Sequence, residues 1–218
     1  AYSHPRQNGV TAINIREDDE VIQVRLTDGN SEILMANRNG RAIRFHESAV
    51  PAMGRVSTGV RGMKLDDEKD EVIGMICVNK DDNTNILVVS EQGYGKRTLL
   101  DDENGEPIYR ITNRGGKGVK TMNVTEKTGK LVSIKNVTDE NDLMIINKSG
   151  IAIRLKVADI PVIGRATQGV RLINLEKRND EIASVCKVDS EPVEEMLDEE
   201  TAEIVETELT ENNESNEN

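Results

Sequence analysis

Short apolar runs separated by charged turns recur along most of the chain. The clearest series reads "EVIQVRL", "EVIGMICV", "KLVSIKNV" and "EIASVCKV", and each run is rich in valine and isoleucine. These side chains favour the pleated surface of a strand. Helical spacing of apolar residues is not found before the last 30 residues. The pattern therefore predicts an all-β body.

The runs belong to an internal repeat that aligns on a Gly-Val pair. The pair occurs four times, at intervals of 50, 59 and 51 residues, as Gly9-Val10, Gly59-Val60, Gly118-Val119 and Gly169-Val170. An extended run, a charged turn and a second run follow each pair, and the first three copies add a hairpin-like pair of runs such as "EILMANRNGRAIRF". Four short strands per period predict a radial array of four-stranded blades, with about four blade units in this chain.

The net charge of −12 is unevenly distributed. Thirteen acidic residues and no lysine or arginine lie in residues 189–218, which leaves 27 acidic and 28 basic residues in 1–188. We therefore predict a near-neutral β domain over 1–188 and an acidic tail over 189–218. The tail is polar enough to be disordered. Residues 192–209 also carry apolar residues near helical spacing, which makes a transient helix the second alternative.

Arginines recur in register with the repeat. One set stands four residues before the glycine of a Gly-Val pair, and a second set stands four residues after a hairpin glycine. The two sets are Arg55, Arg114 and Arg165, and Arg44, Arg97 and Arg154. A single arginine of this kind is most often an ordinary solvated residue at a strand end. In a radial array, however, a repeated position becomes a ring of positive charge, which suits a polyanion that bends around it.

The segment "RITNRGGKGVK" (110–120) contains the most specific candidate site. Adjacent glycines let backbone N–H groups approach an anion, and basic side chains flank them. The candidate residues are Arg114, Gly115, Gly116, Lys117 and Gly118, and the further basic candidates are Arg61, Lys96, Lys120 and Arg171. A nucleotide-binding P-loop requires Gly-Lys-Ser/Thr before a helix, whereas Lys117 is followed by Gly118. The segment therefore favours the phosphate backbone of a nucleic acid.

Other chemistry finds little support in the sequence. His4 and His46 are isolated and no Cys-x-x-Cys occurs, so neither a metal nor another cofactor is expected. No set of nucleophile, base and orienting residue is visible, which predicts a non-catalytic domain. Two cysteines and no apolar run of membrane length predict a cytoplasmic protein. The scarcity of aromatic residues argues against single-strand binding and leaves duplex DNA contacted through its backbone.

Four longer stretches resemble the C-terminal domain of the bacterial DNA gyrase A subunit. They are "IRFHESAVPAMGRVSTGVRG" (43–62), "SEQGYGKRT" (90–98), "RGGKGVKTMNVTEKTGKLV" (114–132) and "IPVIGRATQGVRLINL" (160–175). The resemblance implies a β-pinwheel, in which neighbouring blades share strands. It also implies that duplex DNA is wrapped around the basic rim with positive handedness, so that gyrase, an ATP-dependent type II topoisomerase, can introduce negative supercoils.

The same resemblance implies partners and a cellular context. The parent would be a heterotetramer of two A and two B subunits in the bacterial cytoplasm, associated with the nucleoid, and ATP and Mg would be used by other domains or by the gyrase B subunit. Because the chain begins at Ala1 within a repeat, we expect it to be the C-terminal part of a longer protein. Two alternatives stay open: the topoisomerase IV A-subunit counterpart, and a propeller-like protein-interaction scaffold.

The family also carries a heptapeptide, Gln-Arg-Arg-Gly-Gly-Lys-Gly, called the gyrase A box and required for wrapping. Residues 114–118 match its last five positions, while Thr112 and Asn113 replace Gln-Arg. This copy lies late in the array, with one further Gly-Val pair after it. We therefore interpret it as an echo of the box and expect the box itself to lie upstream.

Overall fold

The computed structural model describes residues 7–79, 82–175 and 180–189. Its regular elements are eleven strands and two 3-10 turns. The strands are β1 (Glu32–Asn37), β2 (Arg41–His46), β3 (Val72–Val78), β4 (Asn85–Ser90), β5 (Tyr94–Leu99), β6 (Val119–Lys120), β7 (Leu131–Val137), β8 (Asn141–Asn147), β9 (Ala152–Lys156), β10 (Val170–Arg171) and β11 (Ile182–Asp189). The turns, Glu47–Ala49 and Val157–Asp159, follow β2 and β9. The predicted all-β class is confirmed.

The predicted tail lies outside the described residues, apart from Asp189 at the end of β11. The boundary at residue 188 and the two alternatives for the tail stay predictions.

The strands form three sheets. Two have four strands, in the orders β3-β1-β2-β6 and β7-β4-β5-β10, and the third has three strands in the order β11-β8-β9. Neighbouring strands in the two four-stranded sheets are antiparallel, as are β8 and β9. The four copies of the repeat thus yield three sheets in the described residues.

Each four-stranded sheet combines strands from three successive repeats. In the first sheet, the hairpin β1-β2 comes from the first repeat, β3 from the second, and β6 from the Gly-Val pair of the third. The second sheet follows the same rule one repeat later, with β4-β5, β7 and β10. The four runs of one period are therefore distributed over successive blades, which is the strand sharing that the resemblance implied.

The rule also explains why three predicted strands are not formed. The runs at 11–15, 20–26 and 61–65 have no regular structure. By the rule they would pair with hairpins of earlier repeats, which the described residues do not contain. In the run at 20–26 the apolar side chains are accordingly left in solvent: Val24 is 81% exposed and Leu26 is 98% exposed.

The hydrophobic core lies between consecutive sheets. Strand β4 is buried on both faces, with Ile86 and Val88 in one apolar cluster and Leu87 and Val89 in the next. Burial on both faces accounts for its continuous apolar sequence, because alternating polar residues would be buried without partners. A third cluster, around Phe45, covers the other face of the first sheet.

The hairpin arginines are structural residues in the two complete blades. Arg44 is 3% exposed, forms ion pairs with Glu32 and with Asp101 (2.6 Å), and donates to the carbonyl oxygen of Tyr109 at 3.1 Å. Arg97 is 5% exposed and forms an ion pair with Asp139. Both predicted DNA contacts are therefore corrected, because these guanidinium groups are enclosed by protein and cannot reach a phosphate in this conformation.

The function of these arginines is to hold the segments that enter the glycine-rich loops. Arg97 donates from Nε to the carbonyl oxygen of Ile160 at 2.6 Å. The backbones also join, with the N–H of Thr112 donating to the carbonyl oxygen of Arg44 and that of Ile163 to the carbonyl oxygen of Arg97, both at 2.9 Å. No segment of this kind covers the third member of the set among the described residues: the Arg154 side chain is 48% exposed and pairs with Asp142 at 2.6 Å.

The glycine of the Gly-Val pair allows its strand to join the hairpin. Gly118 has a φ of +71°, and a Cβ there would collide with the carbonyl oxygen of Ala42. Gly169 has a φ of +79°, and its Cβ would lie 2.6 Å from the carbonyl oxygen of Gly95. Both the backbone conformation and the close approach exclude a larger residue.

Replacing Arg44 by methionine should lower the free energy of unfolding by about 3–5 kcal/mol, because both ends of its ion pair with Glu32 are largely enclosed by protein. The comparison variant Arg154→Met should lower it less, because the Arg154 side chain is 48% exposed and water can replace part of its interaction with Asp142. Urea unfolding followed by circular dichroism measures both. Equal losses in the two variants would contradict the structural role of Arg44.

The variants Gly118→Ala and Gly105→Ala distinguish the cost of a positive φ from the cost of a steric collision. Gly105 has a φ of +79° but open space around it, so Gly105→Ala should cost about 1–2 kcal/mol for its positive φ alone. Gly118→Ala should cost a further 1–3 kcal/mol or so, because β6 must move away from β2. The same unfolding measurement applies, and a Gly118→Ala variant as stable as Gly105→Ala would show that β6 is not tightly seated.

Candidate nucleic-acid interface

Three loops with the same sequence pattern precede Gly-Val pairs, and we call them the Gly-Val loops: residues 54–59, 113–118 and 164–169. Each has arginine at its second position and glycine at its last. Backbone hydrogen bonds join each loop to the preceding repeat, from Asn14 N to Ser57 O (3.1 Å), Lys64 N to Gly116 O (2.8 Å) and Asn123 N to Thr167 O (2.9 Å). The donor lies five residues after the preceding Gly-Val glycine in every case. The loops therefore form one continuous row.

The loop arginines strengthen this row. Arg114 donates to the carbonyl oxygens of Ala49 (2.8 Å) and Arg61 (3.1 Å). Arg165 makes the equivalent contact one repeat later, with Lys120 O at 2.9 Å. A guanidinium has five N–H donors, so these bonds leave further donors on each group. The two arginines act as struts between repeats and also place positive charge on the row.

The predicted basic residues fall into two groups on this row. The side chains of Arg61, Lys117, Lys120 and Arg171 are exposed, and those of Arg55, Arg114 and Arg165 are half buried. Arg171 also donates to the hydroxyl of Tyr94 at 2.9 Å, and its guanidinium lies 5.5 Å from the centre of that ring. The row thus presents basic side chains once per repeat, on both sides of each Gly-Val glycine.

Sequence reasoning missed two basic residues beside the row. Lys64 is exposed and bonded through its backbone to Gly116, and Arg16 lines a cleft of about 930 Å³ together with Arg61, Lys64 and Arg114. Lys64 occupies the same place in its repeat as Asn123, so the alignment contained the signal for it.

An acidic residue moderates the charge of the middle loop. Asp66 Oδ1 lies 3.3 Å from Lys117 Nζ, and Asp66 Oδ2 lies 3.3 Å from Arg41 Nε. A phosphate that approaches Lys117 must therefore compete with this carboxylate.

In loop 113–118, the middle one of the three, part of the backbone predicted to bind an anion is hydrogen-bonded within the protein. The N–H of Gly115 donates to the carbonyl oxygen of Gly62 at 2.6 Å. Gly116 is exposed, and its carbonyl accepts from Lys64. The two glycines therefore serve the packing of the loop against the preceding repeat, and Gly115 cannot offer its N–H to phosphate in this conformation.

Lys96 does not lie on the surface, which corrects its prediction as a DNA contact. Its side chain is fully buried and Nζ donates to three oxygens of loop 164–169: Gly164 O at 2.6 Å, Arg165 O, and Thr167 Oγ1 at 3.1 Å. Burial, and then the positive charge of Arg165, lower the pKa of Lys96 to about 7.

Other kinds of site are not found in residues 7–79, 82–175 and 180–189. No group of three or more histidine, cysteine or carboxylate side chains is placed to hold a metal ion in this part of the chain. Among the same residues, no helix is long and apolar enough to cross a membrane.

The comparisons with known proteins agree with this architecture. The family model for the DNA gyrase C-terminal domain, beta-propeller, matches residues 5–28, 31–79, 84–138 and 141–187, and each match contains one Gly-Val pair. The gyrase A subunit of Staphylococcus aureus (strain MRSA252) is 46% identical over 200 residues, which is 92% of this chain and 22% of that protein. The chain therefore spans about a fifth of the length of this relative.

Two solved structures share the fold. The crystal structure of the C-terminal domain of DNA topoisomerase IV superimposes with a TM-score of 0.76 at 26% identity, covering 86% of this chain and 56% of that one. The structure of a DNA gyrase A C-terminal domain superimposes with a TM-score of 0.70, also at 26% identity, covering 83% and 58%. Because the family model matches nearly the whole body of the chain, repeat by repeat, the protein belongs to the DNA gyrase C-terminal domain family.

Proposed function

We propose that this domain binds duplex DNA along the row of Gly-Val loops and bends the DNA around it. The observation that carries the proposal is the row itself: backbone hydrogen bonds fix each loop to the segment that follows the preceding Gly-Val pair, and each loop presents basic side chains at equivalent positions. Regularly spaced cations on a rigid edge bind the phosphate backbone without reading bases, and the repeated contacts offset the cost of bending.

The exposed side chains are the proposed direct contacts. Arg61, Lys117, Lys120 and Arg171 would pair with phosphates, and Arg55, Arg114 and Arg165 would add charge from half-buried positions. Gly116 and Gly118 would contribute indirectly, because they let loop 113–118 pack against Ile43 and β2. Arg44, Arg97 and Lys96 would act indirectly by holding the segments from which these contacts project.

The activity of the parent protein extends this proposal. The parent would be a DNA gyrase in which wrapped DNA is passed to the cleavage gate and negatively supercoiled. It would work in the bacterial cytoplasm with the gyrase B subunit, as two A and two B subunits, and ATP and Mg would act outside this domain.

A second candidate is the corresponding domain of topoisomerase IV. The superposition on that domain, with a TM-score of 0.76, favours it. The gyrase assignment is supported by the 46% identity to a gyrase A subunit and by the regular loop arginines. Both candidates bind duplex DNA through the same row, so that the first experiment is common to them.

Affinity of the whole chain for duplex DNA should fall steeply with salt, with a log–log slope of about −0.9 for each phosphate neutralised. The double variant Lys117→Ala, Lys120→Ala should reduce the magnitude of the slope by about 1.8, corresponding to two lost contacts. Fluorescence titration between low and moderate salt measures both. A slope near zero for the wild type would favour a protein-interaction scaffold.

Two matched variants sharpen this experiment. Asp66→Asn should raise the affinity a few-fold, because it releases Lys117 and Arg41 to the phosphates. Lys148→Ala should leave the slope unchanged, since Lys148 is paired with Glu181 at 2.5 Å in the last hairpin. If all these variants shifted the slope equally, the binding would reflect net charge and the row would have no special role.

A further inference from the structure

Lys96 is unusual because a lysine side chain is rarely buried unless a carboxylate pairs with it. Its side chain is fully buried in the second sheet, and its ammonium is bound by two carbonyl oxygens and a hydroxyl of loop 164–169. No carboxylate is among these partners. A buried ammonium requires compensation, and here neutral oxygens of a single loop supply it.

The first sheet holds its own loop in a different way. The residue at the position of Lys96 in that sheet is Ile43, which has the same place in the hairpin register. Ile43 lies beneath the middle loop, where a Cβ on Gly116 would be 3.5 Å from Ile43 Cδ1. Loop 113–118 therefore packs through Gly116 against the apolar side chain of Ile43. Loop 164–169, in contrast, is bound by the ionisable amine of Lys96.

One of the three acceptors of Lys96 is the carbonyl of Arg165 itself. The ammonium thus fixes the backbone from which that guanidinium projects toward Lys120 O. The same loop leads directly into β10, which carries Arg171. We propose that Lys96 is a positioning residue for DNA contact, whose protonated amine holds loop 164–169 so that Arg165 and Arg171 meet phosphate. The proposal rests on the proposed DNA binding and adds a proton-linked control of one loop.

The charges around Lys96 favour loss of the proton in the free protein. The cation that faces it is Arg165 on the loop, while Arg97 beside it on β5 is paired with Asp139, and its partner on β4 is the apolar Val88. Nearby Tyr109 is neutral, with its hydroxyl bonded to Thr121 at 2.7 Å. Burial and Arg165 together place the pKa of Lys96 at about 7, below the ordinary 10.5.

Bound DNA should reverse this effect. Phosphates beside Arg165 reduce the repulsion between the two cations and favour the charged form of Lys96. Binding should therefore take up protons near and above neutral pH. When Lys96 is neutral, its amine has two donors for three acceptors, and the loop is held less firmly.

The stability of the free domain and its DNA affinity should depend on pH in opposite directions. The unfolded lysine keeps its proton up to its ordinary pKa, while the folded one loses it near pH 7. Between these values the unfolded state binds more protons, so this group makes the free domain more stable as pH rises. DNA affinity should decrease over the same range. A generally weakened fold would move both quantities in one direction.

The test is calorimetric titration of the whole chain with a 40-base-pair duplex, at pH 7.5, in two buffers of different ionisation enthalpy. The wild type should take up protons on binding. Its affinity should fall by up to about tenfold between pH 6.5 and 8.5, for a pKa raised by one unit in the complex. Lys96→Met should abolish the proton uptake and flatten the pH profile.

Two variants complete the test. Lys117→Met should weaken binding but keep the proton uptake, since its amine is exposed. Thr167→Val removes one acceptor without touching the lysine and should move the pH profile to lower pH; it serves if Lys96→Met does not fold. Proton uptake that persists in Lys96→Met, or a Thr167→Val profile identical to wild type, overturns the role of Lys96. Absence of DNA binding by the wild type at every pH would refute the proposed function itself.

Discussion

The architecture depends on one close backbone contact, made once in each four-stranded sheet, between the glycine of a Gly-Val pair and a small residue of a hairpin two repeats earlier. Gly118 meets Ala42 and Gly169 meets Gly95 in the same geometry. Because this contact joins repeats that are distant in sequence, it forces each complete sheet to collect strands from three repeats. It also places loops 113–118 and 164–169, each beside the hairpin that its strand joins.

The row of loops follows from that constraint. Loop 113–118 is fixed at one end by β6 and at the other by the segment that binds the buried Arg44. Loop 164–169 is fixed in the same way by β10 and Arg97. Backbone bonds to the preceding repeat then join the loops. Rigid placement is what allows modest surface charges to act together, since a flexible chain would lose the entropy of ordering each contact separately.

Much of this could be predicted from the sequence, because the repeat, the Val- and Ile-rich runs and the glycine spacing are periodic features. The all-β class belongs to this part, whereas the strand sharing was implied by the family resemblance. The burial of individual basic side chains could not be predicted from the sequence. Arg44, Arg97 and Lys96 differ little in sequence context from exposed basic residues, and only the packing of a later segment over them makes them structural. Likewise, the run at 20–26 reads as a strand, but pairing requires a hairpin that the described residues do not provide.

The most direct test of the account is whether DNA bound to this domain is wrapped. A nicked plasmid would be sealed by ligase in the presence of increasing amounts of the chain, and its topoisomers separated after removal of the protein. The linking number should shift progressively in one direction, positive by the family resemblance, and Gly118→Ala should reduce the shift per bound domain. An unchanged topoisomer distribution at saturating protein would contradict wrapping, because the row would then bind DNA without bending it.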